Sequence, residues 1–577
     1  MKDVFQKSRF HWLLAGLLSG MFLVVCWKIA PITFLTNDDN AIAFALAGYQ
    51  TGSPYPYALF TNCILGYAVA GLYGSFPAVP WWAVMQLGAI FLSLTALGAT
   101  LLDVCARRGR SPFLGLGLFA ALLLTLMIQP VVQLTYTVTA AILGAAGACL
   151  VAGAAGEPER KKRLFSDILG GALVLWAFLL REETGYAALC FFFAAVLYRM
   201  LSAEPGKGTW RRLLPLLLTV TILCGGALFY NKAAHAAVNG PDYTEFFTWR
   251  ERFTDYPRDT YGENPDLYQS VGWDEPLYRM ADSWCFLDER IDSDALQTIV
   301  EGSETGRSSI RDAIKTFSAF FSREPMGKYA AALALGLVLC LLFSVTGTGR
   351  ETGAGRRTAA VLAGGCVFLG GLALCLYLCL MGRFVLRSFQ TVALPMTALL
   401  AVLLLDGGGT GLSAARIPRI LLYALVAGAG LLGGYTGARS LRVNSPAAML
   451  ADCRAVNAYA VAHPENTYIR DAYSAPDIDA FTVYPAEQAK RPVNLISWGG
   501  CGMRSDAYYR QLAANGIHTD YEDLFRQKDV YFLTGTDSGY LELLLDVLGT
   551  KYGAAEGELT DTFYAGEQSF SVYRLVF

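Results

Sequence analysis

Eleven apolar segments, each about long enough to cross a bilayer, recur along the chain and leave it few possible folds. They fall at about 13–30, 80–102, 113–130, 135–154, 164–181, 185–201, 213–230, 328–346, 359–381, 391–405 and 418–437. At about 1.5 Å of rise per residue, roughly 20 apolar residues in a helix span the hydrocarbon core. Inside lipid every backbone N–H and C=O must be satisfied within the protein, so repeated runs of this length specify a helical bundle. Composition agrees, with 54% of the 577 residues hydrophobic and only 16% charged, against about 25% charged in a soluble domain. A net charge of -2 supplies no basic stripe for a phosphate backbone, so nucleic acid is not an expected partner.

The basic residues sort by loop. Arg107, Arg108 and Arg110 follow the second segment, and Arg160, Lys161, Lys162 and Arg163 follow the fourth. Lys207, Arg211 and Arg212 follow the sixth, Arg350, Arg356 and Arg357 the eighth, and Arg416 and Arg419 the tenth. Every second loop is therefore basic and is expected in the cytoplasm. Lys2, Lys7 and Arg9 precede the first segment and no small-residue cleavage site follows it, so it reads as an uncleaved span with a cytoplasmic N-terminus. An odd number of spans then places the C-terminus outside. Ala58 to Phe76 is also apolar, but a full span there would invert every later loop. It is expected to be a helix lying in or dipping into the outer leaflet.

This topology divides the chain into a membrane domain, 1–439, and an extracytoplasmic domain, 440–577. Within the first, 31–79 forms the first outer loop and 231–327 a large outer loop. In the second, Thr467–Arg470, Val493–Ser497 and Val530–Leu533 read as strands, and Ala447–Ala462 and Tyr540–Leu548 as helices, so a small α/β fold is expected. Most of the 13 cysteines lie in apolar runs; Cys453 and Cys501 lie in the polar C-terminal region, where an oxidising compartment could join them. With 4 histidines and no Cys/His cluster, no zinc site is expected.

Polar groups collect on the outward side. Asp38 and Asp39, in Thr36-Asn37-Asp38-Asp39-Asn40, open the first outer loop. Adjacent carboxylates at the mouth of a span are costly unless they face water, a cation or a substrate. Gln129 and Gln133 end the third span, and Arg181, Glu182 and Glu183 cap the fifth, where they could neutralise one another. Arg383 and Arg387 follow the ninth; they could snorkel to headgroups, but outer loops are normally poor in Arg and no carboxylate in their loop balances them, which weakens that explanation. In the large outer loop, Trp249–Pro257 and Trp273–Pro276 mix rings with hydrogen-bonding groups, which suits sugar binding and suits an ordinary folded loop better. Carboxylates and arginines gathered outside several spans suit transfer of a sugar from a lipid phosphate. The acceptor hydroxyl needs a base, and the departing phosphate needs cations.

An acidic pair opening the first outer loop, an outer juxtamembrane helix and many spans resemble the C-type (GT-C) integral-membrane glycosyltransferases. Among these the chain is most similar to bacterial relatives of the protein mannosyltransferases and of the lipid A aminoarabinose transferase. The resemblance is carried by Asn37-Asp38-Asp39, Tyr49-Gln50-Thr51-Gly52-Ser53-Pro54, and Leu72-Tyr73-Gly74 before Pro80-Trp81-Trp82. It implies a GT-C-like architecture of about eleven spans plus outer juxtamembrane helices. It also implies an inverting transfer from a polyprenyl-phosphate sugar donor to an extracytoplasmic acceptor that is a glycolipid, glycoprotein or wall polymer. Asp38 or Asp39 matches the family's base, and Arg383 and Arg387 match its habit of placing basic residues near the lipid phosphate. Arg181, Glu182, Glu183 and Gln133 are supporting candidates. The metal-binding carboxylates of the oligosaccharyltransferase branch have no counterpart, so the resemblance implies a reaction without metal or other cofactor.

Two other classes compete. A transporter or flippase for a lipid-linked glycan or small solute would place polar groups mid-span, whereas this chain puts its charges at span ends. A sensor with a membrane anchor would not need about eleven spans.

Overall fold

The computed structural model describes residues 8–203, 209–304, 309–343, 354–407, 416–471, 473–474, 476–484, 493–519, 521–566 and 568–577. Lys207 and Arg350 lie outside these, and the side chains of Arg416 and Arg419 are likewise undescribed. Among the described residues, ten helices are long and apolar enough to cross a membrane. A further helix, Arg416–Val443, occupies the last of the eleven apolar segments. Cys63–Ser75 is a separate apolar helix of 13 residues, at about 1.5 Å per residue too short for a span.

The chain divides into two compact units. The first takes its described residues from Met1–Ile32, Val84–Phe229 and Ser309–Ser445. Its centre is Tyr136–Gly153, whose apolar stretch is 94% buried. Small residues make that enclosure possible. A Cβ on Gly147 would stand 2.6 Å from the Gly170 carbonyl oxygen, so Tyr136–Gly153 and Arg160–Leu180 cross at backbone contact distance. Pro130 has no N–H to return to Leu126, and the turn before it widens to a π-helix over Leu123–Met127. Part of the predicted basic loops is structural: Arg108 meets the buried Asp406 at 2.7 Å, and the Tyr198 hydroxyl donates to the same carboxylate at 2.5 Å.

The second unit gathers Thr33–Ala83, Tyr230–Ser308 and Pro446–Phe577. Chain order alone drew one boundary at 439/440; contacts place three separated segments in one body. Its sheet contains β1 (Thr467–Arg470), β2 (Leu495–Ser497), β3 (Val530–Gly535), β4 (Glu556–Ala565) and β5 (Gln568–Val576). The spatial order is β2-β1-β3-β5-β4. β1 runs parallel to β2 and β3, with Ile469 opposite both Ile496 and Phe532. β5 runs antiparallel to β3 and β4. The chain moves from β1 to one neighbour and then crosses to the other, so the carboxyl ends of β1, β2 and β3 form a topological switch point. Ala447–Ala462 and Tyr540–Tyr552 are helical as expected. Ile469, Ile496, Trp498 and Phe532 share one core with Phe246, Phe253, Trp273 and Phe286.

Candidate functional site

Asp38 and Asp39 stand in the first turn of the helix Asn37–Ala47, behind an extended Thr36. Negative charge is favoured there by the unpaired N–H groups of the helix start. From this turn the two carboxylates diverge. Asp39 is fully buried (0% exposed), and its Oδ1 accepts from Trp82 Nε1 at 3.1 Å. The Trp82 backbone N–H in turn donates to the Tyr73 hydroxyl at 3.1 Å, so Asp39 belongs to an internal strut. Asp38 is only half-buried, and its Oδ1 accepts from the Cys501 thiol at 3.9 Å.

The following turn is pinned from the same unit. Gly48 adopts φ 82, and a Cβ there would stand 2.2 Å from the Ser53 carbonyl carbon, so only glycine fits. Tyr49 packs edge-on to Tyr484 at 4.7 Å between centroids, and its carbonyl accepts from the Val493 N–H at 2.6 Å. Tyr55 donates to Asp506 at 2.9 Å. The Tyr49–Pro54 run thus braces the first-loop helix against the C-terminal region.

Cys501 sits in the loop Trp498-Gly499-Gly500-Cys501 after β2, at the carboxyl ends of the parallel strands. Burial pushes its thiol up to about 12, with the Asp38 carboxylate adding to the rise and the Arg250 guanidinium opposing it. It therefore stays protonated at neutral pH, as a donor. The Tyr243 hydroxyl donates to the Cys501 carbonyl at 3.2 Å. Arg504 fastens the loop by donating to the carbonyls of Ile291 at 2.8 Å and Phe286 at 2.9 Å. Cys453 and Cys501 are both free thiols. The pairing raised by the sequence does not form, because each thiol is buried against a different carboxylate, Asp477 and Asp38.

Arg250 stands out in the sequence only as one member of the Trp249–Pro257 stretch. It is 2% exposed, with its guanidinium over the rings of Phe247 at 4.6 Å, Trp284 at 5.7 Å and Phe286 at 5.9 Å. Its Nε and Nη1 have no hydrogen-bond partner among the described residues. Such groups typically cost about 1–3 kcal/mol each when buried, and the cation–π contacts return part of that. One signal was available: Tyr243, Phe246, Arg250 and Phe253 follow the i, i+3, i+7, i+10 spacing of a buried helix face. Backbone strain gathers here too. Of four non-glycine residues with left-handed backbone among those described, Trp284 (φ 60) and Phe60 (φ 64) both lie at the Phe247–Arg250 cluster. A bulky residue held so costs about 1–3 kcal/mol; at Trp284 the cap of the helix Glu275–Asp282 holds it, through bonds from its N–H to Ala281 and from Cys285 to Met280.

The remaining candidates fall in the first unit. Arg181 pairs with Glu183 at 2.7 Å and donates to the Tyr136 hydroxyl at 2.7 Å, while Glu182 accepts from Tyr186 at 2.8 Å. This is the self-neutralising turn that sequence allowed. Gln390 donates to Gln129 at 2.8 Å, and Gln129 to Gln133 at 3.1 Å. Arg383 and Arg387 are half-buried and each has an interaction partner, so the lack of a carboxylate in their loop does not leave them unengaged. In the large loop, Trp273 is a core residue donating to the Arg290 carbonyl at 2.9 Å, and Arg252 covers Trp249 at 4.8 Å. Among the described residues no three His, Cys, Asp or Glu side chains come together to hold a metal ion.

No family model and no curated protein matches the chain. Two crystal structures of ArnT from Cupriavidus metallidurans are similar to it at 14% identity. The structure bound to undecaprenyl phosphate has a TM-score of 0.40, with 97% of each chain covered. The apo structure has a TM-score of 0.41, with 98% of each chain covered.

Proposed function

We propose that the chain is a membrane glycosyltransferase that moves a sugar from a polyprenyl-phosphate donor to an extracytoplasmic acceptor, with Asp38 as base. The observation that carries this reading is the pairing of roles around Cys501: a half-buried carboxylate, and a buried arginine with two guanidinium nitrogens unsatisfied. In the reaction, the acceptor hydroxyl oxygen attacks the anomeric carbon and its proton passes to Asp38. The bond between that carbon and the phosphate oxygen breaks, its electron pair leaves with the polyprenyl phosphate, and the anomeric configuration inverts. Charge grows on the phosphate as it departs, and a preorganised guanidinium lowers that barrier. Arg250 is a cation of the same unit as Asp38 and acts with it on Cys501; Arg383 and Arg387 are the further candidates for the donor phosphate. Asp39 has the structural part, since its carboxylate anchors Trp82.

The orientation belongs to the same proposal: N-terminus in the cytoplasm, second unit outside, and no metal required. Mass spectrometry of lipid-linked sugars and surface glycans, with and without the gene, tests it. A lipid-linked sugar that accumulates when the gene is lost, together with a missing surface sugar, is the expected result. Unchanged glycans and lipids contradict it.

A further inference from the structure

Trp284 occupies the left-handed position that ends the helix Glu275–Asp282, where its N–H returns to the Ala281 carbonyl and the Cys285 N–H to the Met280 carbonyl, both at 3.0 Å; glycine is the usual residue there. Its backbone is left-handed (φ 60) and the residue only partly buried, whereas the neighbouring Cys285 and Phe286 are fully buried. The loop after β2 adds a second constraint. The Gly500 N–H donates to the Trp284 carbonyl at 2.9 Å, and a Cβ on Gly499 would stand 2.6 Å from the same oxygen. Two glycines are thus committed to fixing one tryptophan. The same loop ends at Cys501, which meets Asp38. The Arg250 guanidinium lies over the Trp284 ring at 5.7 Å, and its Nε and Nη1 have no hydrogen-bond partner among the described residues. Phe247 continues the aromatic wall toward Phe60, whose backbone is left-handed as well.

A partly buried indole beside a buried guanidinium with unsatisfied nitrogens matches a ligand with an apolar sugar face next to an anionic group. A pyranose presents axial C–H bonds on one face, which pack on an aromatic ring, and the attached phosphate is the anion. We infer that Trp284 is the platform on which the donor's sugar ring stacks, and that the loop after β2 sets the ring's position relative to Asp38. This rests on the glycosyltransferase reading and adds a specificity residue to it. The C-terminal sheet would then take part in choosing the sugar, through the turn Gly499-Gly500.

The test compares binding of bare undecaprenyl phosphate with undecaprenyl-phosphate glucose and undecaprenyl-phosphate mannose, using the full chain in detergent. Trp284→Asn and Trp284→Gly remove the ring while tolerating the left-handed backbone, so either folded variant serves. Wild type should bind at least one sugar-loaded lipid more tightly than the bare lipid. Either variant should lose about tenfold of that binding and keep its affinity for bare undecaprenyl phosphate. Equal loss for both lipids, or none, overturns the platform. So does a wild type that does not distinguish bare from loaded lipid. A wild type that binds none of the three overturns the glycosyltransferase reading with it.

Discussion

The thiol of Cys501 lies 3.9 Å from the carboxylate of Asp38, 463 residues earlier in the chain. The contact joins the first turn of the first-loop helix to the carboxyl end of a parallel strand. Through it, the small sheet becomes part of the candidate site.

Asp38 and Asp39 should respond differently to substitution. Asp39→Asn keeps an oxygen for Trp82 Nε1 and should retain most transfer. Asp39→Ala leaves that indole N–H buried without its acceptor, a loss of about 1–3 kcal/mol. Thermal unfolding of the purified protein checks this: a Tm for Asp39→Ala equal to wild type would show that the strut carries no stability.

Cys501 should make the protein sensitive to alkali. Its thiol is raised from 9.0 to about 12 in the folded chain, so the unfolded chain loses its proton first. The thiol's contribution to stability is complete below about pH 9 and is lost as pH rises toward 12. The Tm of Cys501→Ala, set against wild type from pH 8 to 11, should fall less steeply. Parallel curves would refute the assignment.

Arg250→Lys keeps the charge but loses the planar fork, and should impair transfer; Arg250→Ala should impair it more. A clamp used equally in ground and transition states raises the apparent donor constant, whereas one engaged as charge develops lowers turnover. Arg383→Lys and Arg387→Lys follow the same logic for residues that already have partners. Normal kinetics in their Lys and Ala variants would leave them as helix-end anchors.

Orientation can be read by single-cysteine labelling. Positions 109 and 160 should react only from the cytoplasmic side, and 260 and 537 only from outside. Labelling of 260 and 537 from opposite sides would mean that a span after 260 is miscounted.

Much of this architecture was legible because lipid imposes a length on apolar runs, and ten of the eleven segments coincide with helices that meet that length. The Cys63–Ser75 helix was legible from charge: no positive residue follows it. The hairpin of β4 and β5 was not. Glu556–Ala565 is an edge strand exposed on most of its length, so it lacks the alternation that marks a half-buried strand. Asp38 and Asp39 were equivalent on paper; Trp82 separates them, by a contact across 43 positions. Arg250 read as one charge in Trp249-Arg250-Glu251-Arg252, where only the helical spacing of its apolar neighbours hinted at burial. Cys501 gave no signal, because nothing local ties it to residue 38.

The central claim is that Asp38 takes the acceptor's proton while a polyprenyl phosphate leaves. It is tested most directly by purified protein in liposomes with undecaprenyl-phosphate sugars and a membrane extract as acceptor source, reading release of undecaprenyl phosphate. Wild type should release it, and Asp38→Asn, folded and inserted normally, should do so about 10²–10⁴ times more slowly. Release by Asp38→Asn at the wild-type rate would contradict the account.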